Sequence, residues 1–261
     1  MPFRALHVPG DPLIMPNPWD VGSAVLLQNM GAKALASTSA GAAFARGKPD
    51  GALSLDEMLG AATEIDAATR VPVSADLENG DADTPDGVAA AMCRAVEAGL
   101  AGASLEDLGK DGVIYPTALA IERVEAAVAA TRDSGLVLTA RSEGLLTGTL
   151  TRDAVCARIS AFAKAGADVV FAPGLTSLED VTAVVQAAGD TPVSVLIGAR
   201  SPDLTIANLA NAGVARVSVG SGMARAAYGA AMAMMRGVQA AGQITYPDST
   251  ASFADIEALL K

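Results

Sequence analysis

Short β-rich runs recur along the whole chain, at 13–15, 34–37, 72–76, 102–105, 136–140, 168–171, 193–196 and 215–218, with helix-compatible segments between them. The segments 54–69, 85–98, 117–132, 151–165, 176–188 and 203–212 carry apolar residues at helical spacing. Ser54 with Glu57, Thr117, Thr151 and Thr176 read as N-caps. Gly31, Gly99, Gly135, Gly166 and Gly213 stand where a helix would end in a left-handed residue before the next strand. Strand, helix, strand repetition implies parallel pairing through right-handed crossovers. Eight such units in 261 residues suit a closed (β/α)8 barrel, forming a single α/β domain over 1–261. An open doubly wound sheet is the alternative, but the first strand–helix turn lacks a clean G-x-G-x-x-G and no G-x-x-x-x-G-K occurs.

Charge and hydropathy narrow the function classes. A formal charge of −11 disfavours nucleic acid and anionic membrane surfaces, which need clustered Lys and Arg. No apolar stretch approaches the roughly 20 residues of a bilayer span, and the first residues lack a secretory pattern, so the expectation is a cytoplasmic protein. Cys93 and Cys156 fall within helical segments without metal-ligand spacing and read as buried thiols. His7 precedes the first strand and reads as a packing or surface residue.

In such a barrel the chemistry sits at the carboxyl ends of the strands. Those positions carry Thr38 and Ser39, then Asp76 and Glu78, then Glu106 and Asp107, then Arg141 and Glu143. Alternate residues of a strand share a face, so Asp76 and Glu78 point the same way and a neighbouring strand brings Glu106 beside them. Two carboxylates about 4 Å apart repel by roughly 4 kcal/mol at an effective dielectric near 20, so a proton or cation must sit between them. An all-oxygen set with open positions suits Mg2+ or Mn2+.

Several motifs, in order, resemble the isocitrate lyase and phosphoenolpyruvate mutase superfamily. They are Asn-Pro-Trp-Asp-Val-Gly-Ser-Ala at 17–24, Ala-Ser-Thr-Ser-Ala-Gly at 36–41, Gly-Lys-Pro-Asp at 47–50, Ser-Ala-Asp-Leu-Glu-Asn-Gly at 74–80, Ser-Leu-Glu-Asp at 104–107, Ala-Arg-Ser-Glu at 140–143 and Val-Ser-Val-Gly-Ser-Gly-Met-Ala-Arg at 217–225. The resemblance implies a Mg2+-dependent enzyme that makes or breaks a C–C or P–C bond beside a 2-oxo acid through a pyruvate enolate. By position it implies that Asp76, Glu78 and Glu106 form the metal shell, partly through water, and that Thr38, Ser39 and Ala40 bind the substrate carboxylate. Asp50 resembles a loop carboxylate that orients substrate or metal shell, and Arg141 the basic group beside the enolate oxygen; Arg141, Asp50 and Glu106 are the implied catalytic set.

Departures from the family pattern redirect the expected reaction. The loop after Gly80 reads Asp-Ala-Asp-Thr-Pro-Asp-Gly, without the Cys and His of isocitrate and methylisocitrate lyases. Glu106-Asp107-Leu108 replaces the Glu-Asp-Lys usual in phosphonopyruvate-forming mutases. A decarboxylase or retro-aldol lyase on a small 2-oxo or 2-hydroxy di- or tricarboxylic acid follows, with Tyr115 or a carboxylate as base in the lyase case. Alternatives are a binding protein that keeps the metal site without turnover, and a P–C bond mutase or hydrolase. Residues 224–241, with Met232, Met234 and Met235 among alanines, form an apolar helix of a kind usually found in cores. In the family such a helix packs on or swaps with a partner, implying a homodimer or homotetramer.

Overall fold

The computed structural model describes residues 2–198, 201, 203–244 and 246–261. After a single 3-10 turn at Phe3–Leu6, the strands are β1 (Leu13–Ile14), β2 (Leu35–Ala36), β3 (Val73–Asp76), β4 (Gly102–Glu106), β5 (Val137–Arg141), β6 (Val169–Phe171), β7 (Val193–Leu196) and β8 (Arg216–Ser218). The helices are α1 (Val21–Asn29), α2 (Ser39–Ala45), α3 (Leu55–Ala68), α4 (Pro85–Glu97), α5 (Thr117–Thr131), α6 (Gly144–Thr147), α7 (Arg152–Lys164), α8 (Leu178–Ala188), α9 (Ile206–Asn211), α10 (Gly222–Ala241) and α11 (Phe253–Leu260). All strand pairs are parallel, in the order β1-β8-β7-β6-β5-β4-β3-β2. The seam between first and second strands is bridged by the Ala36 N–H, which donates to the Pro16 carbonyl at 3.2 Å, and by the Asn17 side chain, which donates to the Ser37 carbonyl. The sheet therefore curls into the expected (β/α)8 barrel.

Local chemistry accounts for the element ends. Ser54 and Glu57 form a reciprocal capping box on α3, and Thr151 caps α7. Two expected caps shift: Thr117 is the first residue of α5, behind Pro116, whose fixed φ makes the helix entry without a side-chain acceptor, and Ser177 rather than Thr176 caps α8. The five glycines expected to end helices all have positive φ, from 76° at Gly99 to 100° at Gly166.

Apolar residues are buried in two belts between the sheet's outer face and the helices, one around β2 to β4 and the other around β5 to β8. A third, small cluster of Phe3, Leu13, Met15, Ala34, Val137 and Val169 plugs the amino-terminal end of the barrel. Gly102 makes room for it, because a Cβ there would lie 2.9 Å from both the Phe3 ring and the Ser74 hydroxyl. His7 is buried against Phe3 at 4.9 Å between ring centroids, and burial, with Arg216 nearby, lowers its pKa to about 4, which fits a neutral packing residue.

The cysteine reading is corrected: Cys93 is exposed and Cys156 only half-buried, because each lies on a helix face turned from the sheet. The methionine helix is likewise not core within this chain. Of α10 only Ala224 is buried among the described residues, while Met232 and Met235 are 52% and 55% exposed. Helix α11 folds back on α1 of the same chain, where the Asn29 side-chain amide donates to the Leu259 carbonyl. No helix is long and apolar enough to cross a membrane among the described residues.

Candidate active site

Parallel register sets the site. Glu106 is level with Arg141 on the neighbouring strand, and Arg141 with Phe171 on the next, so these side chains leave the barrel wall on one face. Asp76 is level with Ser104 in the same way. The carboxyl ends of β3, β4 and β5 thus deliver two acids and a guanidinium to one place, and Glu143, just past β5, adds a third acid.

Arg141 lies at the centre of this group. It pairs with Asp76 at 2.7 Å, Glu143 at 2.9 Å and Glu106 at 3.1 Å, and its guanidinium stands 5.3 Å from the Phe171 ring centroid. Asp76 is held from other sides as well: the Ser39 N–H and hydroxyl donate to one carboxylate oxygen at 3.1 and 3.0 Å, and the Ser104 hydroxyl to the other at 3.2 Å. Thr38 caps α2 by accepting from the Gly41 N–H. Burial alone would raise the Asp76 pKa, but Arg141 and the Ser39 donors hold it below the usual carboxylate value. Burial would lower that of Arg141, yet Glu143, Glu106 and Asp76 raise it well above its ordinary value.

The residues assigned to metal, substrate or catalysis by resemblance, from Thr38 to Arg141, each line one of two adjoining cavities. The outer, of 280 Å³, is walled by Asp50, Glu78, Glu106, Arg141 and Glu143. The inner, of 160 Å³, reaches down the barrel past Thr38, Ser39, Ala40, Asp50, Asp76 and Arg141. Glu78 arrives differently from the alternation argument: β3 stops at Asp76, and Glu78 sits beyond it with φ of 50°, turned into the outer cavity by the loop rather than by strand periodicity.

Carboxylates outnumber cations here. Burial, with Asp76 and Asp50 nearby, raises the Glu78 pKa to about 7, and burial also raises Asp50 and, strongly, Glu106. A proton or a cation relieves such a cluster, and its all-oxygen donor set is the kind Mg2+ takes. Among the described residues no group of three or more His, Cys, Asp or Glu side chains is poised to hold an ion directly. A Mg2+ ion, which commonly keeps several waters, would have to be held here partly through them.

The Glu78 shift predicts a pH effect on stability. Its proton is held more tightly folded, near 7, than unfolded, near the ordinary 4.5, so this contribution is complete below the lower value and lost as pH rises through the upper. Glu78→Gln cannot ionise. Without added metal its Tm is expected to match the parent near pH 4 and exceed it by a few degrees near pH 8, with roughly 2–4 °C corresponding to each kcal/mol in a domain of this size. Parallel Tm–pH curves for the two proteins would remove the assignment.

Asp107 and Tyr115, both named from the sequence, hold the site from outside the cavities. Asp107 points away from the cavity: it is buried, pairs with Arg158 at 3.1 Å, and accepts from the Ser142 hydroxyl and the Glu143 N–H, so it fixes the segment after β5. Tyr115 faces neither cavity; its hydroxyl donates to Asp83 and accepts from Asn79, with Arg123 4.2 Å above the ring, so it ties two loops together and is removed as a base. Lys110 pairs with Asp81 across the same two loops. The glycines after β8 form a turn, because the Asn17 side-chain oxygen Oδ1 accepts from both the Val219 and Gly220 N–H groups. Ser37, Ser104 and Arg216 went unassigned, since their positions within or beside strands carry no strand-end signal.

The model of the family described as phosphoenolpyruvate phosphomutase matches residues 3–239. A solved structure from Burkholderia cenocepacia J2315, of a protein assigned provisionally as a lyase/mutase, superposes with a TM-score of 0.92 at 43% identity, covering 98% of this chain and 93% of that one. Among curated sequences, the uncharacterized protein Rv1998c of Mycobacterium tuberculosis H37Rv is 33% identical, covering 98% of both chains. The 2-methylisocitrate lyase of Escherichia coli K12 is 30% identical over 186 residues, covering 67% of this chain and 62% of its own length.

Proposed function

The chain belongs to the phosphoenolpyruvate phosphomutase family, within the isocitrate lyase and phosphoenolpyruvate mutase superfamily, and from that premise we propose that it is a Mg2+-dependent carbon–carbon lyase. Its substrate would be a small 2-oxo or 2-hydroxy di- or tricarboxylic acid, cleaved by decarboxylation or retro-aldol chemistry through a pyruvate enolate. One observation carries the reading: a buried guanidinium, Arg141, held by Asp76, Glu106 and Glu143 at the mouth of two cavities bounded by further carboxylates.

Asp76, Glu78 and Glu106 are the residues that would hold Mg2+, which when bound supplies Lewis-acid polarisation of the 2-oxo oxygen. Arg141 presents fixed positive charge where negative charge develops, and its partners keep it from reorienting during the reaction. Ser39 holds Asp76 in place through two donors, leaving the Ala40 N–H as a first-turn donor that no group among the described residues claims. Asp50, on the rim shared by both cavities, orients the bound acid. The loops bearing Asp81, Asp83, Lys110 and Tyr115 are tied together beside the outer cavity, whose wall includes Asn79 and Lys110.

A second reading, a 2-oxo-acid-binding protein without turnover, draws on the missing Cys and His in the loop after Gly80 and on the exclusion of Tyr115 from both cavities. A coupled assay for pyruvate release over oxaloacetate, methylisocitrate, dimethylmalate and phosphonopyruvate, with Mg2+ and then with EDTA, separates the two. Mg2+-dependent turnover on a carbon–carbon substrate supports the lyase; turnover on phosphonopyruvate alone moves the assignment to P–C chemistry. Saturable binding without turnover supports the second reading, and neither binding nor turnover overturns both. The exposed methionines of α10 support assembly into a homodimer or homotetramer, and a monomeric mass by light scattering would end that part of the proposal.

A further inference from the structure

Arg216 opens β8 with its side chain inside the barrel, 5% exposed. Its Nε donates to the Ser194 hydroxyl at 2.9 Å, while its Nη1 is buried with no hydrogen-bond partner. No acid pairs with it among the described salt bridges. The charge that acts on it is that of Arg141, which is repulsive. Burial and that repulsion together lower the Arg216 pKa to about 9, leaving it charged at neutral pH. Stranding an ion in the interior costs several kcal/mol unless a counter-charge and hydrogen bonds offset it.

The counter-charge has a place to go. Arg216 lines the inner cavity together with Asp76 and Arg141 and the hydroxyl-bearing residues Ser74, Ser104 and Ser218. Its 160 Å³ is close to the roughly 150 Å³ that holds one benzene molecule, so a ligand of about six heavy atoms fits. Such a polar chamber, floored by a guanidinium with a free edge, matches a planar carboxylate, which a guanidinium binds through parallel N–H donors.

We propose that Arg216 is the receptor for a substrate carboxylate at the inner end of the cavity, so that this protein selects acids whose carboxylate points down the barrel toward β8. The inference deepens the lyase reading by naming a residue that sets substrate class, but the anion contact itself requires no metal and no turnover. Arg216 is a specificity residue in this scheme, and Arg141 remains the group beside the reacting atoms.

Oxalate, with six heavy atoms, is the probe. Calorimetric titration of the full-length protein, with EDTA and separately with Mg2+, is expected to show binding in both conditions. Arg216→Met should weaken it at least tenfold in both, and Arg216→Lys should recover part of the loss. Unchanged oxalate affinity in Arg216→Met, or no binding to the parent protein, overturns the proposal. Should Arg216→Met fail to fold, a crystal structure of the parent with oxalate decides: a carboxylate hydrogen-bonded to Arg216 Nη1 supports it, and oxalate bound elsewhere overturns it. Failure of the lyase reading is seen separately, as oxalate binding that depends on Arg216 but is indifferent to Mg2+ in a protein without turnover. If substrates are turned over, Arg216→Met is expected to raise KM far more than it lowers kcat.

Discussion

Arg141→Met is expected to lose turnover by about 10²–10³-fold, the usual cost of deleting one preorganised charge-stabilising donor, and to lose about 3–5 kcal/mol of stability, the range for breaking a buried ion pair from one side. The second loss has a distinctive pH profile. In the parent, Arg141 offsets the charge of Asp76, Glu106 and Glu143. Without it those acids hold their protons more tightly in the folded state than in the unfolded one. Their contribution is then intact at low pH and disappears as pH rises through the raised folded values. The deficit against the parent should therefore be small near pH 5 and largest near pH 8. Urea unfolding at both values measures it, and a deficit independent of pH would show that Arg141 contributes packing rather than charge.

Asp76→Ala should abolish Mg2+-dependent turnover in a protein that still folds. Asp76 accepts from the Ser39 N–H, the Ser39 and Ser104 hydroxyls and Arg141, so truncation frees the first turn of α2 and, in the lyase scheme, takes an oxygen from the surroundings of the ion. Arg141 keeps Glu106 and Glu143, so no uncompensated charge is left buried, and the fold survives. Circular dichroism with the pyruvate-release assay reads both halves of the expectation. Full activity in a folded Asp76→Ala protein would refute the role given to this acid.

Strand positions were legible because a parallel barrel buries both faces of each strand, leaving short apolar runs such as Val73–Ala75 and Val169–Phe171 that few other folds produce in series. Strand-end acids were legible for the complementary reason: charge next to such a run demands an explanation. Asp107 had the same local signal as Glu106 yet points into the helix layer, because successive residues of an extended chain alternate in direction and only the three-dimensional register says which one faces inward. Arg216 was invisible for the opposite reason. It stands at the start of a strand, where a basic residue reads as solvent-facing, and its isolation emerges only once the surrounding strands are in place. Caps misjudged by one position, at Pro116 and Ser177, reflect how several adjacent polar or φ-restricted residues can begin the same helix.

The inner cavity takes its walls from Met15, just after β1, to Ser221, just after β8, and the Asn17 side chain clasps the turn after β8 through Val219 and Gly220. During synthesis the ribosome must therefore deliver the chain through β8 and the turn that follows it before the chamber exists. A prematurely terminated product ending ahead of β8 would carry Asp76, Glu106 and Arg141 but neither Arg216 nor the clasp, so a truncated chain cannot possess a partial version of this pocket.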